Sequence, residues 1–235
     1  MSEWTPHLEE LRRRIIAVLA VFTVVTIPAF VFSDRLAAFL MAPAADLHVA
    51  LYTFNPAERF IAYLHLAVWT GAVVSAPFCL LQAGLFVWPA LRGKERRWTL
   101  AALLAVPALF LAGAAAAYYF LSPAALRFFL RFGSSDGILP LWGLREYLSM
   151  LFALMLASGL LLETPLLLLL SFALGIVTPR AAARFRPYII FLIFLVAAIC
   201  TPPDVISQAA LGVPLYLLFE LTLFIGRFFR KDARP

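Results

Sequence analysis

The residues of this chain that could do chemistry are few, and the most conspicuous are carboxylates in unexpected surroundings. Glu9 and Glu10 directly precede the run Leu11-Arg12-Arg13-Arg14, and Glu95 sits among four cations in Arg92-Gly93-Lys94-Glu95-Arg96-Arg97. Glu163 lies in the stretch from Leu160 to Leu170, which is otherwise leucine apart from Thr164 and Pro165. A carboxyl deep in an apolar span costs several kcal/mol unless it is neutral, paired or facing water. Pro165 removes a backbone donor and kinks the span, so upstream carbonyls there also need partners. Glu163 is therefore either a neutral carboxyl buried against another span or a polar notch in a concave, partly wet cavity. Other chemistry lacks its parts. His7, His48 and His65 belong to no H-E-x-x-H, no G-x-S-x-G serine is present, and no glycine-rich phosphate loop occurs. Cys79 and Cys200 stand in apolar runs without a C-x-x-C and read as small buried hydrophobes. No catalytic residue, metal ligand set or cofactor is expected, and the chain does not read as an enzyme.

The elements that must position these acids are membrane spans. Of 235 residues, 64% are hydrophobic and 14% charged, against about 25% charged in soluble domains. Charge-free intervals run over 15–33, 60–91, 98–126 and 187–203, and intervals broken by one glutamate each run over 147–179 and 205–226. A crossing needs about 20 helical residues, so the chain reads as a single all-α, polytopic membrane domain with six spans, placed near 15–33, 64–90, 98–122, 147–175, 187–201 and 206–226. Six crossings leave no room for a soluble domain or a nucleic-acid module.

Charge distribution orients them. Segments 1–14, 92–97, 180–186 and 227–235 hold 14 Lys and Arg and five acids, whereas the alternate segments hold five Arg and six acids. By the positive-inside rule both termini are cytoplasmic. The two long outer segments carry Pro43, Pro56, Pro123 and Pro140, which predicts structured outer loops with short helices. The third, at Thr201-Pro202-Pro203-Asp204, is only a turn, so the fifth and sixth spans are tightly joined and short. Asp204 would cap the sixth span, with Ser207 and Gln208 one turn on. Thr5-Pro6 predicts the start of a helix that runs through Leu8, Leu11 and Ile15 into the first span. That lead-in is either an ordinary amphipathic approach to the membrane or something more, because acid is placed where orientation needs only base. Glu220, seven residues before Arg227, reads either as structurally satisfied near the cytoplasmic interface or as an assembly residue.

Taken together the residues resemble the TatC family, the multispanning receptor subunit of the twin-arginine protein translocase. The motifs are His7-Leu8-Glu9-Glu10-Leu11-Arg12-Arg13-Arg14, Ala42-Pro43, Asn55-Pro56-Ala57-Glu58-Arg59-Phe60, and Ser75-Ala76-Pro77 with Gln82 and Phe86. Trp88-Pro89-Ala90-Leu91, Lys94-Glu95-Arg96-Arg97, Gly113, Tyr118, Pro123, Glu163-Thr164-Pro165, Arg186-Pro187-Tyr188 and Thr201-Pro202-Pro203-Asp204-Val205-Ile206-Ser207-Gln208 continue it to the last span. One departure is Ala83-Gly84, where members often carry a tryptophan.

The resemblance implies a receptor in the bacterial inner membrane for folded cargo whose signal peptides carry consecutive arginines. A guanidinium donates two parallel hydrogen bonds to a carboxylate, a geometry lysine cannot reproduce. Carried over by position, Glu10 and Glu95 would bind the two arginines, with Arg12 and Phe86 lining the patch. Glu163, together with Gln208, would be the intramembrane polar docking site for single-span TatA-type and TatB-type subunits, and its protonation would couple docking to the proton gradient. Pro43, Glu58, Pro77, Tyr118, Pro165 and Asp204 would serve structure or assembly. The implied partners are signal peptides, these single-span subunits, the bilayer and further copies of the chain, with no nucleic acid. The competing reading is a proton-coupled secondary transporter or channel using Glu163. It would require several polar groups at matching depth, where the sequence places Glu163 nearly alone.

Overall fold

The computed structural model describes residues 5–87, 94–132, 141–173, 175–200 and 205–229, and most of them are helical. In chain order these are α1 (Thr5–Val31), α2 (Ser33–Ala45), the short strand β1 (Leu51–Tyr52), α3 (Pro56–Val87) and α4 (Lys94–Ala116). A π-helical turn (Ala117–Leu121) then leads to α5 (Ser122–Phe132), β2 (Trp142–Gly143) and α6 (Leu144–Ala173). The last three helices are α7 (Pro179–Arg184), α8 (Arg186–Cys200) and α9 (Val205–Phe229). Among the described residues, Leu8–Val31, Pro56–Phe86, Leu103–Arg131 and Leu144–Phe172 are long and apolar enough to cross a membrane. α1 is helical from Thr5, the first described residue.

The chain forms two compact units, Met1–Ala90 with Leu141–Phe152, and Leu91–Pro140 with Ala153–Pro235. In the first, α1 and α3 lie against each other, and Gly71 makes this close: a side chain there would run into Thr26 and the ring of Phe22. The two outer segments expected to be structured contain α2 and α5, and β1 pairs in parallel with β2, Leu51 opposite Trp142 and Tyr52 opposite Gly143. The fully buried Tyr147 donates its hydroxyl to the Leu40 carbonyl (2.8 Å), which ties the start of α6 to α2. Stacking of Trp69 on Phe152, with centroids 6.2 Å apart, ties it to α3.

The start of α3 shows how local chemistry sets a helix. Asn55 accepts from Ala57 N–H through Oδ1 (3.0 Å), and Glu58 reaches back to accept from the N–H groups of Phe54 (2.5 Å) and Asn55 (3.2 Å). With Pro56 between them at the first helical position, this is a reciprocal capping arrangement. Glu58 thus satisfies backbone donors that would otherwise be orphaned at the helix end.

In the second unit, the π-helical turn has a cause one residue beyond its end. Pro123 has no N–H and its ring crowds the carbonyl four residues back, so the backbone widens, and Ser122 N–H bonds instead to Ala117 five residues back. Tyr118 is buried in this turn, 6% exposed, with its ring edge-on to Tyr119. The segments expected as the fifth and sixth spans are α8 and α9, and the turn expected between them lies outside the described residues. α8 has 15 residues, about 22 Å of helix, and α9 has 25, running past Arg227 to Phe229. Cys79, expected to be buried, is exposed on α3, as suits a small apolar group in a lipid-facing position; the side chain of Cys200 lies outside the described residues.

Candidate functional site

At the end of the α1–α3 pair, Arg14 makes one hydrogen bond for each of its five N–H donors. Nε and Nη2 donate to Glu10 Oε1 (3.2 and 2.5 Å), Nη1 to Gln82 Oε1 (3.0 Å) and to the Gln82 carbonyl (3.4 Å), and Nη2 also to the Leu85 carbonyl (3.0 Å). Both carbonyls lie in the C-terminal part of α3, toward the negative end of the helix dipole, where a cation is favourable. One guanidinium therefore joins α1 to the C-terminal part of α3 and holds Glu10 in place. Among the described residues no donor is bonded to Glu10 Oε2, and the Glu10 side chain keeps 25% of its exposure. Phe86, exposed, is the next residue after Leu85. Arg12 is exposed and, two residues from Glu10, turns to the other side of α1. It does not join Glu10 at this patch; Arg14 does. Sequence reasoning passed over Arg14 and the role of Gln82, although the Glu10–Arg14 spacing of four is itself an ion-pair signal.

Glu95 is the second residue of α4, and its side chain lies outside the described residues, as does the whole of Asp204. Gln208 is half-buried in the first turn of α9. Pro43 and Pro77 are buried within α2 and α3.

Glu163 is 2% exposed, with no hydrogen-bond donor to Oε1 among the described residues. Its face of α6 is turned to α4. One turn earlier a side chain at Gly159 would strike the ring of Phe110, and a side chain at Gly113 would strike the backbone at Ser158 and Gly159. The two backbones thus meet through small residues, the usual device for close helix packing in lipid, and the backbone of Phe110 approaches the Glu163 carboxyl. A concave feature lies on the opposite side of α6 from Glu163. There Leu161, Pro165 and Leu168 face Ile189 and Ile193 of α8 and Phe219 of α9 across an apolar groove of about 200 Å3. The difference is one of helical phase: residues 161, 165 and 168 share a face that residue 163 does not.

Glu220 is structurally satisfied. Arg186 donates to it from Nη2 to Oε2 at 2.8 Å, with Nε in ion-pair contact with Oε1 at 2.7 Å, and Tyr216 donates its hydroxyl to Oε1 at 3.0 Å. This ion pair fastens the beginning of α8 to α9.

Several apolar helices long enough to span, with a buried acid on one of them, define a multispanning membrane protein. Residues 6–214 match the family described as Sec-independent protein translocase protein (TatC). A relative of that name from Magnetococcus marinus is 36% identical over 229 residues, covering 94% of this chain and 82% of its own. TatCy of Bacillus subtilis is 33% identical over 228 residues, covering 97% of this chain and 90% of its own. A crystal structure of a twin arginine translocase receptor, TatC in DDM, superposes with a TM-score of 0.79 at 33% identity, covering 94% of this chain and 99% of that one. The chain belongs to the TatC family: it is a non-enzymatic component of a protein translocase, and a multi-pass membrane protein. The small-solute transporter reading is thereby set aside.

Proposed function

We propose that the chain is the receptor subunit of a twin-arginine translocase in a bacterial inner membrane. It has six spans, the four long ones with α8 and α9, and both termini in the cytoplasm. It binds the paired arginines of signal peptides on folded cargo and assembles with single-span subunits of TatA and TatB type, and with further copies of itself, for export driven by the proton gradient. A six-span subunit has no room for a conduit as wide as a folded protein, so the passage is built with other chains.

The observation that carries this reading is Glu10, a carboxylate held by one oxygen and, among the described residues, without a donor at the other. An incoming guanidinium can bond the open oxygen without first disrupting α1 or α3, and Glu95 supplies the second carboxylate. The test is site-specific photocrosslinking of a twin-arginine signal peptide to the protein in membranes. The wild type is expected to crosslink near residue 95 and to prefer Arg-Arg over Lys-Lys, and the Glu10→Ala, Glu95→Ala double variant is expected to lose the crosslink. Equal crosslinking by the double variant would sink the carboxylate reading.

Glu163 is the docking acid in this scheme, its unbonded oxygen awaiting a polar group of a single-span partner. Gln208 adds a second polar contact. Two substitutions separate docking from folding. Glu163→Leu replaces a buried oxygen lacking a donor with apolar volume, so the melting temperature in detergent should hold or rise while co-purification of the single-span subunits is lost. Glu163→Gln should keep assembly in part and reduce export. Full assembly and export by Glu163→Gln would exclude any need for an ionisable group.

A further inference from the structure

A second site, unrelated to signal recognition, lies where α7 meets the end of α9. Its floor is well anchored. Thr178 caps α7 by accepting from Ala181 N–H (3.2 Å), with Pro179 opening the helix. Phe172, Ala182, Phe219 and Leu223 are packed together beneath it. Gly226 lets α9 come flush against this platform, since a side chain there would meet the ring of Phe172 and the ring of Pro179. The contact between Gly226 and Pro179 brings the next residue of each segment, Arg227 and Arg180, to one cavity of about 390 Å3 that they line with Pro179 and Ala183.

Two guanidinium groups on one cavity repel each other unless an anion lies between them. No carboxylate is among the described lining residues. The nearest acid along α9, Glu220, has both oxygens engaged by Arg186 and Tyr216. It bears on Arg227 electrostatically, through space. The surface leading to the cavity is apolar: Leu217, Leu221 and Phe224 form an exposed stripe on α9 that ends three residues before Arg227. An apolar stripe running into paired arginines at the end of a span matches a phospholipid, with acyl chain along the stripe and phosphate between the guanidinium groups. Arginine suits this because its planar fork meets phosphate oxygens two at a time.

We propose that Arg180 and Arg227 form a binding site for the phosphate of an anionic membrane lipid. Because the α7–α9 platform is fixed by Gly226 and the Phe172 cluster, the lipid would act as a clasp on the end of the α8–α9 pair. The proposal requires only that the chain spans a membrane, so it stands or falls separately from the receptor reading.

The experiment is native mass spectrometry of the full chain in detergent, scoring retained dioleoyl phosphatidylglycerol against dioleoyl phosphatidylcholine. The wild type should retain the anionic lipid preferentially. Arg180→Gln and Arg227→Gln should each lower its retention roughly fivefold, the effect of removing one surface cation, with unchanged melting temperatures, since both side chains are exposed. Arg184→Gln, on the same short helix but outside the cavity lining, is the charge-matched control and should leave retention unchanged. Equal retention of the two lipids, or an equal loss on Arg184→Gln, would overturn the site. Displacement of the lipid by inorganic phosphate at matched concentration would also overturn it, because it would assign the arginines to a soluble anion.

Discussion

Gly113→Leu should unfold the second unit of the protein, and even Gly113→Ala should lower its stability by roughly 3 kcal/mol, at the upper end of overpacking costs. The reason is what the added carbon would meet. At Gly113 it lies 2.5 Å from the Ser158 carbonyl oxygen and 2.8 Å from the Gly159 Cα, which are backbone atoms of a facing helix and cannot rotate aside. At Gly159 the obstacle is the ring of Phe110, a side chain that can turn at some cost, so Gly159→Ala should be the milder change. Gly175, at φ +69° with open space around it, provides a third case. Alanine there suffers only backbone strain, about 1 kcal/mol. Thermal unfolding in detergent should rank the three as Gly113→Ala, then Gly159→Ala, then Gly175→Ala from most to least damaging. If Gly113→Ala melted like the wild type, the close α4–α6 crossing that encloses Glu163 would be wrong.

Arg14→Gln should weaken twin-arginine peptide binding tenfold to about a hundredfold, the range for losing hydrogen bonds to a charged group. Arg14 touches no peptide in this reading. It acts through Glu10, which it holds, and through the C-terminal part of α3, to whose carbonyls it donates. Arg14→Lys should not rescue binding, because an ammonium has three donors on one atom and cannot reach both helices with the same spread. Glu10→Gln should give a comparable loss, and the double variant little more than either alone, since the two side chains work as one unit. Titration of a labelled signal peptide against the purified protein checks all four. Tighter binding by Arg14→Gln would reverse the assignment: Arg14 would then be an internal competitor occupying the carboxylate that the signal arginine needs.

How much of this was legible beforehand divides along a physical line. Long charge-free intervals announced the membrane class, and Pro187 marked the opening of α8. The N-terminal motif and Glu163-Thr164-Pro165 carried the family. These are local properties, set by transfer free energy and by backbone donors within a few residues. The Asn55–Glu58 cap was equally local and visible in its spacing, yet it was read only as part of a motif.

Tertiary structure decided which side of each helix meets which neighbour. In water an amphipathic stripe reveals the packed face, but a helix immersed in lipid is apolar all round and its sequence carries little sign of phase. That is why Glu163 proved to face α4 while the groove opened on the far side of α6. For the same reason Arg14 rather than Arg12 stands beside Glu10. The ion pair of Arg186 with Glu220 joins residues 34 positions apart. The sequence by itself therefore determined that this is a helical membrane protein of the TatC type and named its acids. Only the packing of distant segments decided which acids are held, which are satisfied and which keep an oxygen free.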